Sequence, residues 1–239
     1  MPFPDAWALY DVIDATWPAA QRFSADGWTL RQSDGGGQRV MAATAETPGT
    51  VPDIDKGETA MATVGQDAIF MIRDGETALD QALAARGYRA VDPVVLYAMP
   101  LSGQGQGYIE DSYAYTIWPP LQIMRELWAD GGIGPERLAV MDRAAKPKTG
   151  ILVRNGQHPA GVAFVGITNE IAMIHAIEVA ELQRRSGVGR KILDTAMGWA
   201  QDHGAQYFSL LVRDANLAAN ALYCSMGMSI VGRYHYRRV

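Results

Sequence analysis

Six consecutive residues, Arg184-Arg185-Ser186-Gly187-Val188-Gly189, have the types and spacing to hold a diphosphate. They stand between an apolar, strand-like run from Met173 to Val179 and an amphipathic run that begins at Val188. The two glycines permit a tight turn and a close approach of backbone to ligand. The first N–H groups of the following helix lack intrahelical partners and lie at the positive end of its dipole. Arg190 and Lys191 would oppose that dipole if they served the helix alone; beside Arg184 and Arg185 they make a positive mouth. A plain glycine turn before a core helix is the bland alternative. The spacing differs from the G-x-G-x-x-G of dinucleotide sites, and the Gly-Lys-Ser/Thr of a phosphate-binding P-loop is absent.

Several elements must position that loop. After Gly189, Val188, Ile192, Ala196 and Ala200 form one helical face with Trp199 beside them and Gly204 as the stop. Upstream, Thr149 to Arg154 and Ala160 to Gly166 read as a hairpin about Asn155-Gly156, the strongest short-range turn signal available. Leu121 to Trp128 and Pro135 to Met141 read as helices. The chain ends in a strand (Tyr207 to Val212), a helix (Ala215 to Met226) stopped at Gly227, and a strand (Ser229 to Arg237) whose polar aromatics and arginines suit a sheet edge.

The N-terminal part repeats this order. Asp5 caps a helix carrying Ala6, Leu9, Tyr10, Ile13 and Trp17 to a stop at Pro18. Trp28 to Arg31 and Val40 to Thr44 read as strands around Ser33-Asp34-Gly35-Gly36-Gly37. Then come a strand (Ala68 to Ile72), a helix (Glu76 to Arg86), Gly87 and a strand (Ala90 to Met99). Gly87 and Gly227 stand 140 positions apart, which suggests one α/β unit used twice. The Gly-Gln run Leu101 to Gly107 offers no face to bury and divides the chain into residues 1–105 and 106–239.

With 239 residues, 48% hydrophobic and 20% charged, the chain can bury a substantial core. A net charge of −5 argues against a nucleic-acid partner. Cys224 is the only cysteine, so no internal disulfide forms; it reads as a core thiol in a reducing cytoplasm. No signal-peptide pattern and no apolar run of about 20 residues is present, so neither a membrane partner nor a metal is expected.

The strand, R-x-x-G-x-G loop and helix from Ile177 to Gly189, followed by Asn216, Ala219, Leu222, Tyr223 and Gly227, resemble the GNAT superfamily of CoA-dependent N-acyltransferases over residues 119 to 239. The resemblance implies an α/β (α+β) fold, a mixed, mostly antiparallel sheet flanked by helices, here present twice. It implies that the strand before the loop splays from its neighbour, with Val179, Ala180 and Glu181 meeting the pantetheine arm and the thioester carbonyl of acetyl-CoA. Arg184, Arg185, Ser186, Gly187, Val188 and Gly189 would hold the diphosphate, and Asn216 and Asn220 would approach the arm. Tyr223 stands where the family donates a proton to the leaving thiolate; a packed helix tyrosine is its bland alternative.

An alkylamine has a pKa near 10.4, so presenting it neutral at pH 7 costs about 3 to 4 units, or about 5 kcal/mol, and a base is wanted. Glu178 is the leading base, set opposite Ile177 and Val179 by strand alternation, unless it is merely a half-exposed strand carboxylate. His175 alternates onto the face of Ile177 and Val179 and reads as a packed histidine, with titration near neutrality and service through water as its alternative. Arg237 could receive an acceptor carboxylate. The first part resembles the N-terminal half of two-module GNAT proteins, through Trp28 to Arg31, the glycine turn, Arg39 to Ala43 and the unit ending at Gly87. It lacks the diphosphate loop and has Leu83 where the other half has Tyr223, so it reads as a degenerate module that shapes the acceptor cleft. The expected activity is N-acetylation of a small amine or amino acid, as monomer or homodimer. Acetylation of a protein N-terminus or lysine, and acyl-CoA sensing without turnover, remain the alternatives.

Overall fold

The computed structural model describes residues 2–101 and 113–239, so the Gly-Gln run beyond Leu101 lies outside the described residues. The N-terminal half supplies α1 (Ala6–Thr16), β1 (Gln21–Ala25), β2 (Trp28–Gln32), β3 (Thr44–Ala45), α2 (Ile54–Thr63), β4 (Ile69–Arg73), α3 (Thr77–Ala85) and β5 (Arg89–Pro100). The C-terminal half supplies β6 (Ala114–Ile117), α4 (Gln122–Asp130), α5 (Pro135–Arg143), β7 (Lys148–Asn155), β8 (His158–Thr168), β9 (Ile171–Val179), α6 (Val188–Asp202), β10 (Tyr207–Arg213), α7 (Leu217–Ser225) and β11 (Ser229–Arg238). Asp5 caps α1 by accepting the Ala8 N–H at 2.9 Å, and Leu9, Val12 and Ile13 are buried beneath it. Asn155-Gly156 joins β7 to β8.

A small sheet, β1-β2-β3, belongs to the N-terminal half, while a larger sheet crosses both halves in the order β4-β11-β5-β10-β9-β8-β7-β6. Among the described strand pairs only β9 and β10 run parallel. The large sheet is buried on both faces. Val188, Ile192 and Ala196 of α6 cover Ile151, Ala163 and Ile174 on one side, and Trp17, Met124, Trp128 and Val140 cover Leu152, Val162 and Phe164 on the other.

The halves interlock through their last strands. β5 lies between β10 and β11, and β11 lies between β5 and β4. Shifting each residue by the 140 positions that separate Gly87 from Gly227 maps the pair Ser229↔Ala98 onto Arg238↔Arg89, and Arg213↔Val94 onto Arg73↔Tyr234. The strand-helix-strand unit is therefore repeated about a local two-fold axis, each copy lending its last strand to the other. β11 is thus an interior strand, contrary to the expected edge. Its polar side chains are absorbed by partners: Arg237 donates to Asp80 Oδ1 at 2.7 Å and to the Tyr88 carbonyl at 2.8 Å, and His235 meets the same carboxylate at 2.7 Å. Arg237 lowers the Asp80 pKa and is spent there, which removes it as an acceptor residue.

Val40 to Thr44 differs from the expected strand. β2 finds its hairpin partner upstream, in β1, through Asp26-Gly27. Gly35, Gly36 and Gly37, with φ of +79°, +91° and +97°, instead turn the chain along α5 into a 3-10 turn at Gln38–Val40, leaving only Thr44–Ala45 as strand.

Candidate active site

Two irregularities in β9 build the site. Its parallel pairing with β10 runs from Ile171↔Tyr207 to Ile174↔Leu210 and stops there, although both strands continue. Its antiparallel pairing with β8 slips at the same level. Glu178 opposes Val162 and His175 opposes Phe164, so Ala176 and Ile177 together face one residue of β8. Ala176 takes a positive φ of +51° in this bulge. The extra residue overturns the expected alternation: His175 and Glu178 fall on the same face of the sheet, away from α6.

A cleft of about 540 Å³ occupies the wedge between Ile174 to Ile177 and Leu211 to Arg213. Tyr223 and Ile177 belong to the apolar cluster under α6, while Trp17 and Ile133 belong to the cluster under α4 and α5. Since all four line the cleft, it passes through the sheet from one face to the other. Trp17, Gly37 and Arg39 come from the N-terminal half, which therefore forms part of its wall.

The loop before α6 borders the α7 side of this wedge. A 3-10 turn, Glu181–Gln183, leaves β9 through Ala180, whose N–H donates to the Ala160 carbonyl at 2.9 Å. Successive N–H groups alternate along a strand, so that of Val179 points away from β8, into the gap. Ser186 Oγ donates to the Gln183 carbonyl at 2.6 Å, and Arg185 and Gly187 take φ of +62° and +85°. Gly187 is the N-cap of α6 and no side chain caps the helix, so the first-turn amides, from buried Val188 onward, lack a side-chain acceptor. Gly189 abuts α7: a Cβ there would lie 3.5 Å from Leu222 Cδ2.

The positive mouth is narrower than the sequence suggested. Arg190 pairs with Asp194 at 2.9 Å, and Lys191 lies 5.2 Å from the Tyr113 ring centroid. Both follow α6 rather than the loop. Arg184 Nη2 is 3.4 Å from Glu178 Oε1. Glu178 packs against Gly131, where it leaves no room for a Cβ, and is not among the residues lining the cleft.

From α7, Tyr223 and Asn216 line the cleft. The Tyr223 ring is buried, edge-on to Tyr97 at 5.7 Å, and its hydroxyl makes no hydrogen bond among the described residues. Burial, with a smaller push from Tyr97, raises its pKa to about 12, so it stays protonated at neutral pH. Asn216 caps α7 by accepting the Ala219 N–H at 3.2 Å. Asn220 is tied inward: its amide donates to the Arg213, Asp214 and Asn216 carbonyls, and its oxygen accepts from Tyr97 Oη at 3.0 Å. Cys224 is exposed rather than in the core, because α7 turns that side to solvent, with its sulfur 3.6 Å from Tyr97 Oη.

His175 is fully enclosed. Thr16 Oγ1 donates to the Val12 carbonyl at 2.7 Å and so accepts from His175 Nε2–H at 2.8 Å, which leaves Nδ1 to accept from Arg39 Nη1 at 3.2 Å. Burial first, and Arg39 second, hold its pKa well below the usual 6.5. With both nitrogens engaged, it is a positioning group.

Residues 119–228 match the Acetyltransferase (GNAT) family. Over those residues the chain is similar to the GNAT superfamily. It is 27% identical over 237 residues to the uncharacterised N-acetyltransferase YobR of Bacillus subtilis (strain 168), covering 93% of this chain and 94% of that one. A GCN5-related N-acetyltransferase from Kribbella flavida has a similar fold, with TM-score 0.68 at 15% identity and coverage of 97% and 94%. So does a functionally unknown conserved protein of Staphylococcus epidermidis ATCC 12228, with TM-score 0.64 at 10% identity and coverage of 94% and 95%. That similarity supports an acyltransferase that uses acyl-CoA and an acceptor substrate. Among the described residues no helix is long and apolar enough to cross a membrane.

Proposed function

We propose that this GNAT protein moves an acetyl group from acetyl-CoA to the primary amine of a small molecule or amino acid. Two observations support the reading: the N-terminus of α6 is uncapped and packs beside α7, and Tyr223 of α7 lines the wedge between β9 and β10. Backbone amides from Arg184 to Gly189 take the diphosphate, and the arm runs past Ala180 and Glu181 into the gap, with Asn216 alongside. Asn220 holds the turn before α7 rather than reaching the arm itself.

The Val179 N–H receives the oxyanion of the tetrahedral intermediate. Tyr223 donates its proton to the departing thiolate, whose conjugate acid has a pKa near 8.5; a phenol held at about 12 is protonated when that charge develops. Glu178 is the base, accepting the ammonium proton through intervening water. Asp92, the carboxylate that lines the cleft, is held by Gln38 and Arg213 as Glu178 is by Arg184, so Glu178 acts from outside the lining; His175 is engaged at both nitrogens. Residues 1–105 act as a degenerate module without a donor site of their own.

The test is release of free thiol from acetyl-CoA across amines, amino acids and peptides. Amine-dependent release supports transfer to small molecules, and release with peptides alone moves the acceptor to a protein. Tight acetyl-CoA binding without release from any of them contradicts the enzymatic reading and leaves an acyl-CoA-binding protein.

A further inference from the structure

The cleft has a second mouth, on the face away from α6, and its charge is unbalanced. Three guanidiniums line the cleft, Arg39, Arg137 and Arg213, against one carboxylate, Asp92. That carboxylate is already occupied, with Arg213 at 3.6 Å and Gln38 Nε2 at 3.1 Å. Among the described residues Arg39 and Arg137 have no carboxylate partner.

Arg39 is held in place, while Arg137 has its donors free among the described residues. Arg39 leaves the 3-10 turn, lies 5.5 Å from the Trp17 ring centroid and spends one N–H on His175 Nδ1. A neutral histidine, fixed by Thr16, thus steadies a guanidinium whose remaining donors are uncommitted. The Arg137 guanidinium lies beside Gly37, at ordinary van der Waals distance from where a Cβ would stand, 3.8 Å from Nη2. Two forked cations beside an aromatic wall suit a planar anion, which they bind with charge-assisted, two-point hydrogen bonds. Arg137 is carried by α5 and Arg39 lies against Trp17, on the face of the sheet away from α6.

We propose that Arg39 and Arg137 form a carboxylate subsite at this mouth, so that the acceptor is an amine bearing a carboxylate, in the simplest case a free amino acid. His175 is the positioning residue of that subsite. This rests on the acyl-transfer reading only for the role of the bound molecule, since binding at the subsite can be read separately.

Thiol release from acetyl-CoA and calorimetric binding are measured for glycine, L-leucine and L-glutamate, each beside its α-carboxamide. The free acids are favoured on the order of 100-fold, and Arg137→Gln and Arg39→Gln each bring the two series within about threefold, with acetyl-CoA affinity unchanged. Arg39 also steadies buried His175, so its variant is read with Arg137→Gln, whose guanidinium makes no internal hydrogen bond among the described residues. Equal handling of acids and amides by the unaltered protein overturns the subsite. A preference that survives both substitutions, or a loss of acetyl-CoA affinity on making them, overturns it as well. Acids that bind through these arginines without being acetylated uphold the subsite and refute acyl transfer instead.

Discussion

The N-termini of α2 and α6 occupy corresponding places in the two halves, between an antiparallel strand pair and the strand that follows, yet they are finished in opposite ways. α2 starts at Asp53, whose carboxylate accepts from the Asp55 and Lys56 N–H groups at 3.0 and 3.3 Å. Asp55 adds a second negative charge to its first turn. The positive end of that helix is filled by the chain itself. α6 starts at Gly187 with no side-chain cap. The same contrast recurs one element later, where buried Leu83 stands at the position that corresponds to Tyr223, and buried Glu76, held to Arg73, at that of Asn216. The two halves share their strand pairings, while the helix-end positions that the proposed function gives to the ligand differ. A fold can be inherited whole with its chemistry closed off at a handful of side chains.

The largest effect expected of this contrast is at Tyr223. Tyr223→Phe lowers kcat on the order of 100-fold or more with acetyl-CoA affinity retained, whereas Leu83→Tyr creates no second activity. Steady-state rates beside a binding isotherm check both, and full activity in Tyr223→Phe removes the proton donor. Next in size is Gly187→Asp, which gives α6 the same acidic cap that α2 already has. It forces a side chain into the left-handed region and sets a carboxylate where the diphosphate is received, raising the acetyl-CoA Kd roughly 10- to 100-fold. Unchanged affinity would mean that the two helix ends do not differ in function.

Much of this was legible in the residues. The loop, the Asn-Gly hairpin and the repeat at 140 positions follow from local rules, because turns and helix ends are set by nearby side chains and backbone sterics. Three features were not. The bulge at Ala176 has no Gly or Asn to mark it, so period-2 alternation put His175 on the wrong face. The exchange of β5 and β11 is a long-range pairing, and a strand rich in Tyr and Arg reads as an edge until its partners are known. Arg39 and Arg137 line one cleft from separate elements with no shared spacing; the run Gly35 to Gly37 just before Arg39 was the only hint that the chain there bends rather than extends.

Two smaller effects sharpen the comparison. His175 joins the halves through Thr16 and Arg39, and its pKa is depressed in the folded state. The unfolded chain therefore takes up a proton below about pH 6.5 while the folded one does not, and stability falls as the pH drops, by at most about 1.4 kcal/mol per pH unit. Urea midpoints from pH 7.5 to 5 show this slope in the unaltered protein and a flatter one in His175→Gln. Smallest is Asp53→Ala, which uncaps α2 and costs about 1 kcal/mol of stability in the same measurement, with acetyl-CoA affinity unchanged. A change in that affinity would give the N-terminal half a share in donor binding.

The central claim is that donor binding belongs to one end of one helix, and a crystal structure with acetyl-CoA tests it most directly. The diphosphate should lie within hydrogen-bond distance of the amides between Arg184 and Gly189, with the thioester in the gap between β9 and β10 and its sulfur toward Tyr223. A molecule bound at α2, or one whose thioester stays outside that gap, would contradict it.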